Sequence, residues 1–372
     1  VNYQNSVLFV TRSGAGQTGG GVGHGVSTRF YEDLLKGHKV SHFTIGLPKG
    51  REFQRKAATF LNLRKGFISG LNEDVCQKFE ARLNSEKPEF VILDSSLFGP
   101  LAPIARRHGC KVVIQTHNCE FDFFAGQVAL QGGLSAEMLR AGYNSEQAGL
   151  NNADLVIALS EYDSHRLRYL YDPSCPVVVS NPHLRKLYSK LSAADGSTQT
   201  EEKRDEAVFL GSAGYQNRLA CDRLIEHWTP DNPRLKIVGS VGHWVNQKYS
   251  ATLLASRGVD VLGYVDSLDA LLQRATVMLC PMALGSGVKV KILDALANKC
   301  RVLASPEAMN GFEFAKHSGF LEEVNFNRPV AEDFWRSPRP LQFDELLNSL
   351  NLEVERQATC LRTELSRLGL HN

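Results

Sequence analysis

The stretch Gly285-Ser286-Gly287-Val288-Lys289-Val290-Lys291-Ile292-Leu293-Asp294 combines small residues, two lysines and a carboxylate in ten positions. It follows an apolar run and opens a helical pattern. Glycines at such a junction let a phosphate approach backbone N–H groups at the positive end of a helix dipole. Lys289 or Lys291 can add a point charge to a diphosphate. Asp294, read as lying two helical turns into the element, can accept two ribose hydroxyls. The GxxxxGKS/T spacing of a Walker loop is absent. A glycine-cornered turn with a solvated lysine face has the same composition and stays open as a reading.

A second constellation is His117-Asn118-Cys119-Glu120, just after an apolar run ending at Gln115. A lone histidine at a strand end is commonly a structural hydrogen-bonder. Here Asn118 and Glu120 make a polar cluster at a position where ligands bind. A third is the glycine-dense loop from Gly14 to Gly25, with Gly20, Gly21 and His24 as candidates. Glu146 is a secondary candidate, with a helix-surface carboxylate as its plain alternative. No His, Cys, Asp or Glu grouping has metal-ligand spacing, so no metal and no cofactor is expected.

These residues need elements to hold them. Short apolar runs, read as strands, occur at Val7–Val10, Val91–Leu93, Val112–Gln115, Leu155–Leu159 and Val177–Val179. A second set occurs at Val208–Leu210, Leu235–Val238, Val259–Leu262, Val277–Cys280 and Val302–Ala304. Near-continuous apolar strands are buried on both faces, as in parallel sheets. Helical patterns such as Ala220–His227, Leu268–Gln273 and Val290–Ala297 lie between them, so each half reads as a doubly wound α/β unit. Small and polar residues follow the strands in both halves: Ser95 and Ser96, then Ser160, then Gly211, Ser212 and Gly214, then Gly239. Open parallel sheets bind ligands at that edge. Two such edges around one cleft would account for both sets.

The polar stretch from Asn181 to Glu206 reads as an exposed connection. It divides the chain into a domain over 1–181, a domain over 182–345 and a helix over 346–372 that returns to the first domain. A chain of 372 residues is comfortable as two domains. Its 43% hydrophobic and 22% charged residues suit a globular protein. A net charge of +2 provides no global field for nucleic acid. The eight scattered cysteines form no CxxC pair and read as reduced thiols. The first ten residues are too short and too polar for a signal peptide and read as a strand. No apolar run approaches the ~20 residues of a membrane span. A cytoplasmic location, with attachment at the inner face of a membrane as an option, is the expectation.

With these motifs in view, the chain resembles the GT-B glycosyltransferases of group 1, usually classed as family 4. "VFLGSAGYQNRLACDRLIEHW" from Val208 and "LKIVGSVG" from Leu235 resemble the start of that family's donor domain. "DSLDALLQRATVMLCPMALGSGVKVKILDALANKCRVLAS" from Asp266 is similar to its donor-site signature. "QTHNCE" from Gln115 and "EQAGLNNADLVIALSEYDSHRL" from Glu146 look like its acceptor domain.

The resemblance implies two Rossmann-like domains facing across a cleft and a nucleotide-diphosphate sugar as co-substrate. It implies transfer to a hydroxyl acceptor, a glycan or glycolipid of surface polysaccharide or glycoconjugate synthesis, with retention. It places Asp294 on the ribose and Gly285, Ser286, Gly287 and Val288 against the diphosphate or sugar through their backbone. Gly211, Ser212 and Lys289 join the donor site. The family's Arg near the diphosphate is met by Arg218 and its Lys by Lys291, and His117 contacts the transferred sugar. Gly20, Gly21, His24, Asn118 and Glu120 fall to the loop and acceptor side. The family often has a Glu-x7-Glu pair; here Ser286 and Asp294 stand in those places, which leaves the donor sugar open. A sugar-nucleotide epimerase of the same shape and a non-catalytic sugar-nucleotide binding protein are the alternatives.

Residues 48–70, "PKGREFQRKAATFLNLRKGFISG", interleave six basic residues with Phe53, Phe60, Leu61, Leu63, Phe67 and Ile68. Such a segment can lie on an anionic membrane or receive a lipid-diphosphate acceptor. It can equally be an amphipathic helix that buries its phenylalanines.

Overall fold

The structure, a computed structural model, describes residues 5–12, 26, 30–31, 33–46, 52–131, 134–193, 204–331, 334 and 340–371. The chain divides into two compact units. The first holds Val1–His183, Ser286–Val288 and Glu355–Asn372; the second holds Leu184–Gly285 and Lys289–Val354.

The first unit is built on six parallel strands: β1 (Ser6–Arg12), β2 (Lys39–Ile45), β3 (Phe90–Leu93), β4 (Lys111–Gln115), β5 (Leu155–Ala158) and β6 (Val177–Val179). Their order is β2-β1-β3-β4-β5-β6. The chain leaves β1 toward one side and returns to its other side at β3, so the switch point lies between β1 and β3. Side chains alternate between two cores, Leu8 and Val10 in one and Val7 and Phe9 in the other. That is why the sequence shows an unbroken apolar run at β1. Leu361, Leu365 and Leu370, at the end of helix Phe343–Leu368, close the second core.

The second unit has β7 (Arg204–Leu210), β8 (Arg234–Val238), β9 (Val259–Gly263), β10 (Ala275–Cys280), β11 (Arg301–Ala304) and β12 (Leu321–Glu323). Read from β9 the order is β9-β8-β7-β10-β11-β12, all parallel. This is the dinucleotide-fold order, with its switch point between β7 and β10.

All ten sequence-predicted strands are present, and β2 and β12 are added. The stretch from Asn181 to Glu206, expected as an exposed connection, includes helix Pro182–Ala193. Leu184, Leu187 and Leu191 are buried at spacings of one helical turn, and that stripe outweighs the polar composition. None of the eight cysteines is in a disulfide. Among the described residues, no helix is long and apolar enough to cross a membrane.

Candidate active site

In the second unit, β7 ends at Leu210 and the chain turns through Gly211, Ser212, Ala213 and Gly214 into helix Tyr215–His227. Gly239 holds φ at 95°, and a Cβ there would stand 2.4 Å from the Gly211 carbonyl oxygen. The two strand-end turns are therefore packed backbone to backbone, which only glycine allows at this φ. Asn217, in the first turn of that helix, donates through Nδ2 to the Ser212 carbonyl and hydroxyl, both at 3.1 Å. Its Oδ1 accepts from Lys291 Nζ at 2.8 Å.

Lys291 comes from helix Val290–Ala297 and reaches in toward the switch point. Its ammonium stands 4.7 Å from the Phe209 ring centroid and 3.9 Å from Met282 Sδ. Among the described residues no carboxylate faces it, and burial pulls its pKa below the usual lysine value. Arg218, on the same helix as Asn217, spends Nε on the Ala213 carbonyl at 2.8 Å and has no carboxylate partner among the described residues. Two cations with no carboxylate partner among the described residues, at the mouth of a doubly wound sheet and beside a helix N-terminus, can accept an anion.

Lys289 is the N-cap of helix Val290–Ala297 and is 8% exposed. Asp294 is therefore the fifth residue of the helix, little more than one turn in rather than two. Its carboxylate accepts no hydrogen bond from any described residue. Burial raises its pKa, Lys186 and Lys190 nearby pull it down, and Asp269 pushes it up. Lys291 and Asp294 share a helix, yet neither neutralises the other.

Gly285 has φ 107°, and a Cβ there would overlap the Gln216 side chain at 1.8 Å from Nε2. Residues 286–288 belong to the first unit. Ser286 Oγ donates to the Cys119 carbonyl at 2.7 Å, and the Gly287 N–H donates to Asp163 Oδ1 at 3.2 Å. The Gly287 N–H, expected to meet a phosphate, is thus committed to a carboxylate here. Asp163 is itself held by Ser160, whose hydroxyl caps helix Glu161–Tyr171.

In the first unit, β3 and β4 run in register with Leu93 opposite Ile114. The residues just past both strands meet as a result. His117 Nε2 lies 3.1 Å from the Asp94 carbonyl oxygen and 3.1 Å from Asp94 Oδ1. Both neighbours are acceptors, so Nε2 carries the proton. Burial opposes the imidazolium, but the hydrogen bond and charge of Asp94 outweigh it and leave the His117 pKa raised. Asp94 is 1% exposed and also accepts from Thr11 Oγ1 at 3.4 Å.

Glu120 is 5% exposed, and its side chain receives one long contact, from Asn118 Nδ2 at 3.5 Å. Burial and the Glu146 carboxylate hold its pKa above the ordinary carboxylate range. Glu146, a secondary candidate whose plain alternative is a helix-surface carboxylate, is fully buried, so the surface alternative falls. It accepts from Ser96 Oγ at 2.9 Å, Tyr171 OH at 2.7 Å and the backbone N–H groups of Glu120 and Phe121 at 2.9 and 3.2 Å. Four donors favour its charged form, so the proton shared by this pair sits on Glu120. Glu146 caps helix Glu120–Gln131 and so positions the His117 loop.

His117, Asn118 and Glu120 line a pocket of about 420 Å³ together with Arg12 and Ser95. Arg12 ends β1 at the switch point and has no carboxylate partner among the described residues. The rest of the lining is mostly apolar, with Leu63, Phe67, Ile68, Phe123, Phe124 and Met138 beside Thr59, Asn62 and Ser69. Gly142 stands behind Phe124; a Cβ at 142 would come within 2.7 Å of the ring. Gly20, Gly21 and His24 lie outside the described residues. Sequence reasoning missed Asp94, Arg12 and Asn217. Asp94 and Arg12 carried a signal, each a charged residue at the end of an apolar strand. Among the described residues no group of three or more His, Cys, Asp or Glu is arranged to hold a metal ion.

Two doubly wound parallel units with a polar site at the strand ends of each define the GT-B glycosyltransferase class. Two family models match: the glycosyl transferase 4-like domain over residues 34–182 and the glycosyl transferases group 1 over residues 204–327. The chain belongs to the group 1 glycosyltransferases and is a glycosyltransferase. No curated protein sequence matches it. Among solved structures it is similar to sucrose-phosphate synthase from Thermosynechococcus elongatus, with 15% identity over 97% of this chain and 99% of that chain and a TM-score of 0.65. It is also similar to a UDP-forming α,α-trehalose-phosphate synthase from Burkholderia xenovorans, with 11% identity, coverage of 98% and 99%, and a TM-score of 0.58. Anabaena HepE in complex with UDP gives 14% identity, coverage of 97% and 98%, and a TM-score of 0.55. At these identities the likeness is one of fold.

Proposed function

We propose that this enzyme transfers a sugar from a nucleoside-diphosphate sugar to the hydroxyl of a glycan or glycolipid, with retention at the anomeric carbon. The observation that carries the reading is the Lys291 ammonium, which among the described residues faces only neutral groups at the switch point of the second unit. A diphosphate supplies the missing counter-charge. The solved structures of Anabaena HepE with UDP and with UDP-glucose support the same donor class. Asp294 accepts the ribose hydroxyls, and the turn from Gly211 to Gly214 approaches the phosphates.

In the reaction the bond between the anomeric carbon and the diphosphate oxygen breaks. A bond from the acceptor oxygen to that carbon forms on the same face, and the acceptor proton passes to the leaving phosphate. Lys291 and Arg218 stabilise the charge that grows on the diphosphate. His117, oriented by Asp94, positions the transferred sugar. Production of UDP from UDP-glucose, dependent on an added acceptor, tests the reading. Hydrolysis alone or no turnover across donors and acceptors would refute it.

A peripheral membrane contact through residues 48–70 is part of the proposal. Helix Glu52–Arg64 exposes Phe60 at 39% and Leu61 at 60%, and the Arg64 guanidinium lies 5.8 Å over the Phe60 ring. Leu63 and Ile68 of the same segment are buried. Flotation with anionic vesicles should be strong at low salt and weak at high salt, since screening shortens headgroup attraction to ~8–10 Å at 0.1–0.15 M. Absence of flotation at low salt removes the membrane contact.

A further inference from the structure

The pocket in the first unit has two unlike walls. One wall carries His117, Asn118, Glu120, Arg12 and Ser95; the other carries Leu63, Phe67, Ile68, Phe123, Phe124 and Met138. A bare sugar would bring hydroxyls to both walls. Thr59, Asn62 and Ser69 offer a few polar partners there, but hydroxyls against Phe67, Phe123, Phe124 and Met138 would lose water and find none, at a cost. An aliphatic group on that wall loses nothing and leaves water. The volume of about 420 Å³ is that of a small-molecule site rather than a packing defect.

The wall is also built rigidly. Arg140 donates to the carbonyl oxygens of Leu63 and Arg64 at 2.9 and 3.1 Å, which fixes the end of helix Glu52–Arg64. Phe123 and Phe124 pack edge to face at 5.2 Å, and Phe124 is buried.

We infer that the acceptor is amphipathic: its hydroxyl group sits at the His117 wall, and a hydrocarbon aglycone fills the wall of Phe67, Phe123 and Met138. This rests on reading the first unit as the acceptor side. It deepens that reading by naming the class as glycosides with a hydrocarbon tail rather than free sugars.

The test is calorimetry of the full-length enzyme with methyl, butyl, hexyl and octyl β-D-glucosides, each below its micelle concentration and without donor. Each buried methylene contributes about 0.8 kcal/mol, so affinity should rise up to about fourfold per methylene. Phe67→Gln and Met138→Gln should flatten the series, while Leu61→Gln, on the exposed side of the helix, should leave it intact. Equal affinity for the methyl and octyl glucosides overturns the inference. A series that survives in both pocket variants, or collapses in Leu61→Gln, overturns it as well. Should the pocket variants unfold, a diazirine-tipped octyl glucoside on the parent enzyme decides. Labelling of Phe67, Phe123, Phe124 or Met138 supports the inference, and labelling elsewhere overturns it. Titration with UDP on the same protein reads the donor proposal separately. An intact alkyl series without UDP binding sinks only that proposal.

Discussion

Replacing Lys291 by Met should move two measurements in opposite directions. In the ligand-free enzyme the ammonium is partly buried against Asn217 Oδ1 at 2.8 Å and the Phe209 ring at 4.7 Å, with no carboxylate facing it. Burial lowers its pKa, so folding disfavours the charged form. The sign follows from linkage: below the folded pKa the full cost is present, and it is relieved as pH rises toward the unfolded value of 10.5. At pH 7 the parent therefore bears that cost. Methionine keeps much of the volume and removes the charge, at the expense of one hydrogen bond and one cation–π contact, each about 0.5–1.5 kcal/mol. The melting temperature of the free variant should be at or above that of the parent at pH 7, and the gap should close toward pH 10. UDP binding should fall, because a bond from an ammonium to a phosphate oxygen contributes about 1.5–3 kcal/mol, or roughly tenfold to a hundredfold in affinity. Differential scanning fluorimetry with and without UDP reads both quantities. In the parent, UDP at 100 times its dissociation constant should stabilise by about 2.7 kcal/mol. A variant that melts lower yet binds UDP as tightly as the parent would show that Lys291 is a structural residue and refute the anion site.

Further outcomes follow from the same geometry. Asp294→Ala should weaken nucleoside-diphosphate binding by about tenfold to a hundredfold, and the penalty for a 2′-deoxy nucleotide should largely vanish in that variant; simple additivity in calorimetry would mean the carboxylate does not touch the ribose. Glu120→Gln should raise the melting temperature at pH 8 and leave it unchanged near pH 4, below the unfolded value of 4.5. The folded pKa of Glu120 is raised, so the parent loses stability as pH climbs from its unfolded pKa through the folded one. An identical pH profile in parent and variant contradicts the protonated Glu120. His117→Ala should fold normally and lose most turnover with a defined acceptor; near-parent turnover would leave His117 a structural partner of Asp94.

The ten apolar strands were legible because burial on both sheet faces leaves them mostly apolar, with few polar residues such as Gln115, Lys236 and Asp260. β2 was not, since Lys39–Ile45 is an edge strand whose residues are largely exposed or half-buried. β12 was not, since three residues carry no period, and its Glu322 is buried only because Arg301 of the neighbouring strand pairs with it. At the site, His117 and Lys291 stand out by residue type next to glycine-rich or polar turns. The pairings do not, although Asp94 itself carries the signal of a charge at a strand end. Asp94 lies 23 residues before His117 and reaches it through the β3–β4 register. Asn217 reaches Lys291 from 74 positions away. For Glu146 the surface alternative stayed open because helical spacing alone does not say which face turns inward.

Gly142 does not touch the pocket, yet it decides how deep the pocket is. It leaves a gap behind Phe124 that a single methyl group would close, with a Cβ placed 2.7 Å from the ring. Alanine at 142 would suit the helix better by about 1 kcal/mol, but would drive the ring toward the cavity. On the acceptor reading proposed above, the room for an aglycone is thus set by a residue outside the lining. A lineage or a laboratory library could retune the length of accepted aglycone from behind the wall, leaving every lining side chain as it is.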